Sequence, residues 1–178
     1  MDRGRDFLKS QVNNSVMQHQ TFLRNLEDHE KQAEDSRFRD LCSRYIPEMR
    51  EHQRMLEEYQ QSIGAELGTG KKALGAALGI ARDLADAARE SDFLRLVGDI
   101  VTARQAEDTF RTFATVGPQI GESQLTQIGE MGQRQHHQYV QDANSLVAQM
   151  FVDQVRGTEP TRSASQQQDV SSQQRAAY

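Results

Sequence analysis

Residues 44–61 read RYIPEMREHQRMLEEYQQ. Wound into a helix, this stretch sets Tyr45, Met49, His52, Met55, Leu56 and Tyr59 on one side, because residues three and four apart share a face. Glu48 and Glu51 fall within one turn of His52. An apolar stripe that carries an imidazole and borders carboxylates belongs either to a packed bundle helix or to a helix that holds metal. The stripe continues outward to Phe38 and Leu41 on one side and to Ile63 on the other. Pro47 interrupts it. Proline removes a backbone donor and crowds the carbonyl four residues back. The pattern therefore predicts a kink or bulge over residues 43–47, or else two helices with Pro47 in the first turn of the second.

Upstream, Val12, Val16, His19, Leu23, Leu26, Glu30 and Ala33 recur at alternating spacings of four and three. That is a single helix face with a histidine and a glutamate set into it. Asn13, Asn14 and Ser15 weaken its first turns, so the first ten residues are expected to fray or to form a separate short helix. Glu34-Asp35-Ser36 is a polar break, and Asp35 or Ser36 suits the N-cap of the next helix. Downstream, Gly64, Gly68 and Gly70 end the helix of the opening stretch. Residues 71–89, KKALGAALGIARDLADAAR, are rich in the strongest helix former and read as a helical crossover. Ser91-Asp92 offers a further cap. Phe93, Leu96, Ile100, Ala103, Glu107, Phe110 and Ala114 form a third stripe, stopped by Val116-Gly117-Pro118. The last helix is expected from about Glu122 to Val155, with Leu125, Ile128, Gly132, His136, Tyr139, Ala143, Leu146 and Met150 on its inner face. Residues 1–156 thus form one helical domain. Residues 157–178 are Ser/Gln-rich, lack the apolar surface to offset ordering entropy, and read as a disordered tail that could dock a partner protein.

Composition narrows the function. The chain has 178 residues, a net charge of -5, no Trp and three Pro, which favours helix packing and argues against a nucleic-acid binder driven by phosphate neutralisation. The single cysteine, Cys42, has no partner for an internal disulfide and reads as a small buried hydrophobe in a reducing, cytoplasmic setting. No apolar run reaches the length of a membrane span. There is no Ser or Cys elbow and no Gly-rich phosphate loop, so nucleophilic hydrolase chemistry has no support.

Four long amphipathic segments pair as two hairpins, one turning near residue 35 and the other near residue 119. One long connection joins them. That is the connectivity of an all-α, ferritin-like four-helix bundle with a long helical crossover between its second and third helices. The chain resembles the YciE/YciF-type ferritin-like (rubrerythrin-like) stress proteins of bacteria over about His19 to Val147. The likeness is carried by EMREHQRMLEEYQQSIGAELGTGKKALGAALG and DFLRLVGDIVTARQAEDTF, in which Glu107 falls on a family glutamate. The order and spacing of segments carry it rather than any single motif. The resemblance implies a cytoplasmic homodimer linked to stress responses, with iron or manganese as the metals such bundles hold. It also matches Glu48, Glu51, Glu107 and Glu130 to acidic positions of the family's second, third and fourth helices.

A di-iron centre draws carboxylates from all four helices and a Glu-x-x-His pair from two. Here that spacing is missing: Met49 precedes His52 by three residues, and Gln133 precedes His136. Folding each hairpin about its turn sets His52 beside His19 and Glu48 beside Phe22. It sets Glu107 beside Met131, hence near Glu130, and leaves His136 more than a turn away. The candidate metal ligands are therefore His19, Glu48, Glu51, His52, Glu107, Glu130 and His136, with Gln133 beside them. As plain packing, Glu107 would pair with His136 or Arg104, His137 would be solvated, and Tyr45, Tyr59 and Tyr139 would fill the core. The reading is a stress-associated bundle with an incomplete or lost di-metal site, structural or weakly metal-binding and not an enzyme in the main. The alternatives are a di-iron ferroxidase or peroxidase-like protein and a helical interaction module.

Overall fold

A computed structural model describes residues 3–65 and 91–157. Among them the chain forms four helices and no strand: α1 (Arg3–Gln32), α2 (Ser36–Ser62), α3 (Asp92–Ile120) and α4 (Ser123–Arg156). The expected all-α class holds. The crossover over residues 71–89 and the tail beyond Gly157 lie outside the described residues.

Local chemistry sets the helix ends. The Asp35 side chain accepts from the Arg37 N–H at the start of α2, and the Ser91 hydroxyl accepts from the Leu94 N–H at the start of α3. Gly64, Gly121 and Gly157 take positive φ values of 63°, 75° and 66° after α2, α3 and α4, where a residue without Cβ avoids the left-handed penalty. Three expectations need correction. α1 begins at Arg3 as one continuous helix, with no separate N-terminal piece. α2 passes through Pro47 unbroken, so the two-helix alternative does not apply. α3 does not stop at Gly117-Pro118. It runs through Pro118 to Ile120, because Gly117 serves packing rather than capping. A Cβ there would lie 2.8 Å from the Thr126 nitrogen and 3.0 Å from the Glu122 oxygen, so its absence lets α3 and α4 close on each other.

α1 packs against α2 and α3, and α4 packs against the same two. Every stripe position expected on α4 is buried, from Leu125 to Met150. The apolar interior divides into two clusters. One joins Leu26, Phe38, Met49, Leu96, Tyr139 and Leu146. The other joins Val12, Leu56, Tyr59, Phe110, Leu125 and Ile128. The early part of α1 therefore lies level with the late parts of α2 and α3 and with the early part of α4. α1 and α4 run one way and α2 and α3 the other, and the two clusters leave a layer between them near the middle of the bundle.

Candidate metal centre

Three histidines fill that middle layer. His19 comes from α1 between Val16 and Phe22, His52 from α2 between Met49 and Leu56, and His136 from α4 between Ile128 and Tyr139. All three are buried, at 1%, 0% and 0% exposure. Their ring centroids lie 4.8 Å apart for His19 and His52, 5.2 Å for His19 and His136, and 6.0 Å for His52 and His136. α3 supplies the fourth ring, Phe110, centred 4.4 Å from His52, 5.2 Å from His136 and 5.9 Å from His19. Each helix thus sends one ring to a common point.

Hydrogen bonds fix the tautomers. His19 Nδ1 lies 2.8 Å from Gln53 Oε1. The Gln53 amide is oriented by its own nitrogen, which donates to the Glu57 carboxylate at 2.7 Å, so its oxygen must accept from His19. His52 Nε2 donates to the Ile128 carbonyl at 3.2 Å, and His136 Nδ1 donates to the Gly132 carbonyl at 2.8 Å. A neutral imidazole has one donor and one acceptor nitrogen. His19 Nε2, His52 Nδ1 and His136 Nε2 are therefore lone-pair acceptors, and all three are buried without a hydrogen-bond partner among the described residues.

Burial holds the rings neutral. It lowers His19 to about 4 against the Gln53 hydrogen bond, which pulls the other way. It lowers His52 to about 2, helped by repulsion from His19 and His136. It lowers His136 to about 3, again with His19 contributing. Desolvation disfavours a charged imidazole, and two like charges in one dry layer disfavour it further.

One ring nitrogen from each histidine lies within 4.8 Å of the other two. Around a tetrahedral ion with metal–nitrogen bonds of ~2.0–2.1 Å, the donors stand about 3.4 Å apart. The side chains reach that spacing by movements on the order of 1 Å. Each ring already donates its other N–H to a carbonyl-type oxygen, as metal-bound histidines do. Leaving one buried acceptor without a partner costs about 1–3 kcal/mol. Three together oppose folding, and an ion that took up these nitrogens would relieve them. The residues present therefore fit a metal ion.

The sequence-derived carboxylates go elsewhere. Glu48 and Glu130 are exposed. Glu51 is exposed and pairs with Arg54 on its own helix. Glu107 is buried, but it accepts from Arg111 at 2.9 Å and lies 3.0 Å from His137 Nδ1. Its expected partners, His136 and Arg104, are replaced by these two, and His137 is not simply solvated. Gln133, which stood beside the ligand candidates, is partly buried. The expectation that His136 stands more than a turn from the site also needs correction. The second hairpin turns at Gly121-Glu122, later than residue 119. Each residue added before a turn moves the facing position by two, so Glu107 faces His137 rather than Met131. The first hairpin turns where expected, and His19 and His52 meet as expected.

Other participants carried no sequence label. Gln53 and Phe110 define the site as much as the histidines do. A second polar pair, partly buried His29 and buried Asp99, lies in the other half of the bundle, with Nδ1 and Oδ2 2.8 Å apart and the Tyr139 hydroxyl 3.5 Å from the same carboxylate. Burial pushes the Asp99 carboxyl above its ordinary range despite the favourable His29 contact. Asp99 sits three residues after Leu96 and four before Ala103, on the apolar stripe itself, and that position was the available signal.

The described residues form an all-α arrangement of four helices with a buried cluster of three histidines. No family model matches the chain, and neither a curated protein nor a solved structure is significantly similar to it. No helix among the described residues is long and apolar enough to cross a membrane.

Proposed function

We propose that the chain is a ferritin-like, stress-associated bundle whose working part is one metal ion held by His19, His52 and His136. The protein binds and keeps the ion and does not run di-iron chemistry. The observation that carries this reading is the set of three buried imidazole nitrogens, each deprotonated by a fixed tautomer and each without a hydrogen-bond partner among the described residues. The parallel run of α2 and α3 supports ferritin-like connectivity, since such helices need a long connection. Against a two-iron oxidase stands the position of Glu48, Glu51 and Glu130 on the exposed surface, because paired hard ions draw on carboxylate oxygen. The homodimer implied by the family resemblance would cover exposed apolar side chains such as Val101 and Phe151.

The test is metal retention by the full chain. Metal-free protein is equilibrated without oxygen with Fe(II), Zn(II), Co(II) and Cu(I) in turn, desalted, and assayed for metal per chain and melting temperature. One ion per chain, with a melting temperature raised by several degrees and lost in His136→Ala, is the expected result. Retention of two iron ions with an oxo-bridge band on exposure to air would restore the di-iron reading. No retained metal under any condition would end both.

A further inference from the structure

Resting on the single-metal reading, we infer that the ion this site selects is monovalent copper, held by three imidazole nitrogens with the Phe110 ring closing the fourth side. Three features of the cluster point the same way.

The first is charge. All three donors are neutral, and no carboxylate joins the group among the described residues. Glu57 is committed to the Gln53 amide, and Glu107 to Arg111 and His137. The bound ion therefore keeps its whole charge in a dry layer. The cost of moving an ion out of water rises with the square of its charge, so a divalent ion is penalised about four times as heavily as a monovalent one.

The second is coordination number. Zinc sites are four-coordinate, and a three-histidine zinc site needs water or another ligand in the open position. Here the fourth ring packed against the three imidazoles is Phe110, which is 1% exposed and centred 4.4 Å from the His52 ring. A phenyl ring offers no lone pair and displaces water. Monovalent copper has a filled d shell and is satisfied by three nitrogens. The third is the chemistry of the wall. Imidazole suits copper, and an aromatic face attracts a cation placed against it. Cys42 belongs to the apolar cluster on the other side of the layer, so no thiolate is needed to explain the preference.

The test uses the metal-free full chain under anaerobic conditions. Cu(I) is titrated in competition with a chromophoric Cu(I) chelator, and Zn(II) in competition with a chromophoric zinc chelator. The expected result is one Cu(I) per chain, bound at least a thousandfold more tightly than Zn(II). X-ray absorption of the loaded protein should show three nitrogen neighbours and no fourth ligand. In Phe110→His the added imidazole should supply the fourth ligand and raise zinc affinity about a hundredfold relative to Cu(I). Should that variant fail to fold, the wild-type competition and the absorption spectrum still decide. Zn(II) or Co(II) bound as tightly as Cu(I), or a fourth light-atom neighbour on copper, would overturn the copper assignment and leave the metal centre standing. Failure to retain any of these ions would overturn both.

Discussion

Gly132 of α4 leaves the space into which the His52 ring of α2 fits. A Cβ built on Gly132 would collide with the imidazole and come within 2.6 Å of the Phe110 ring. Gly132→Ala therefore sets two effects against each other. Alanine in a helix interior is favoured over glycine by about 1 kcal/mol, whereas forcing a methyl into a filled core costs about 1–3 kcal/mol. The steric effect should win, giving a net loss of up to about 2 kcal/mol in urea unfolding together with weaker metal binding. Gly98 is the control. Nothing lies within 4 Å of a Cβ there, so Gly98→Ala should gain up to about 1 kcal/mol and leave metal affinity unchanged. Equal effects of the two substitutions would argue against the packing described at His52.

Gln53 holds His19 in its tautomer without contributing a ligand of its own. Gln53→Ala removes the acceptor from a buried N–H and should cost about 1–3 kcal/mol of stability. It should also lower metal affinity by about 10- to 100-fold, as loss of a supporting hydrogen bond to a ligand histidine does. Gln53→Glu combined with Glu57→Gln keeps an acceptor for His19 with an amide donor beside it and should restore most of the affinity. Isothermal titration of the metal into each variant provides the comparison.

Much of this architecture was legible in the sequence. Every residue that apolar spacing put on the inner face of α4 is buried there, with Gly129 and Val140 beside them, and side-chain chemistry narrowed the caps to Asp35 or Ser36 and to Ser91-Asp92. The histidine pair across the first hairpin followed from its turn position. His136 did not, because a hairpin's register depends on where its turn falls, and Gly117-Pro118 looked like a stop. Pro118 does forfeit its backbone donor to the carbonyl four residues back, yet α3 continues to Ile120, packed closely on α4 at Gly117. The carboxylates misled for a different reason. Glu48 and Glu51 lie within a turn of His52 in sequence, yet a helix face is only about a third of its circumference, and both fall on the solvent side. Gln53 escaped notice because a buried amide carries no mark in the sequence until its partner is known.

Acid should unfold the metal-free protein in a window set by the three histidines. Their ordinary value is 6.5, and in the fold they fall to about 4, 2 and 3 for His19, His52 and His136. Below pH 6.5 the unfolded chain takes up protons that the folded one refuses, so stability falls as pH falls. With three such groups the slope approaches on the order of 4 kcal/mol per pH unit around pH 5. Urea unfolding at a series of pH values should show this slope, and replacing His136 with Leu should reduce it by about a third. A flat profile between pH 7 and 4.5 would mean that the rings are not buried neutral.

The His29–Asp99 pair makes a separate prediction. Asp99 is 1% exposed and His29 is its close partner. Asp99→Ala should cost about 1–3 kcal/mol, because it removes the acceptor of the His29 ring and of the buried Tyr139 hydroxyl. The double replacement of His29 and Asp99 by Leu should recover much of that loss. Metal affinity should be unaffected by either change, since the pair lies in the other half of the bundle from the site.

The most direct test of the central claim is nitrogen NMR of the imidazole rings, recorded at pH 7 as one equivalent of a diamagnetic ion, Cu(I) or Zn(II), is added to the metal-free protein. The account predicts Nδ1–H tautomers for His19 and His136 and an Nε2–H tautomer for His52. On addition of metal, the signals of His19 Nε2, His52 Nδ1 and His136 Nε2 should shift together and stop shifting at one equivalent. Unchanged signals from these three nitrogens, or binding that saturates while any of them keeps its metal-free shift, would contradict it.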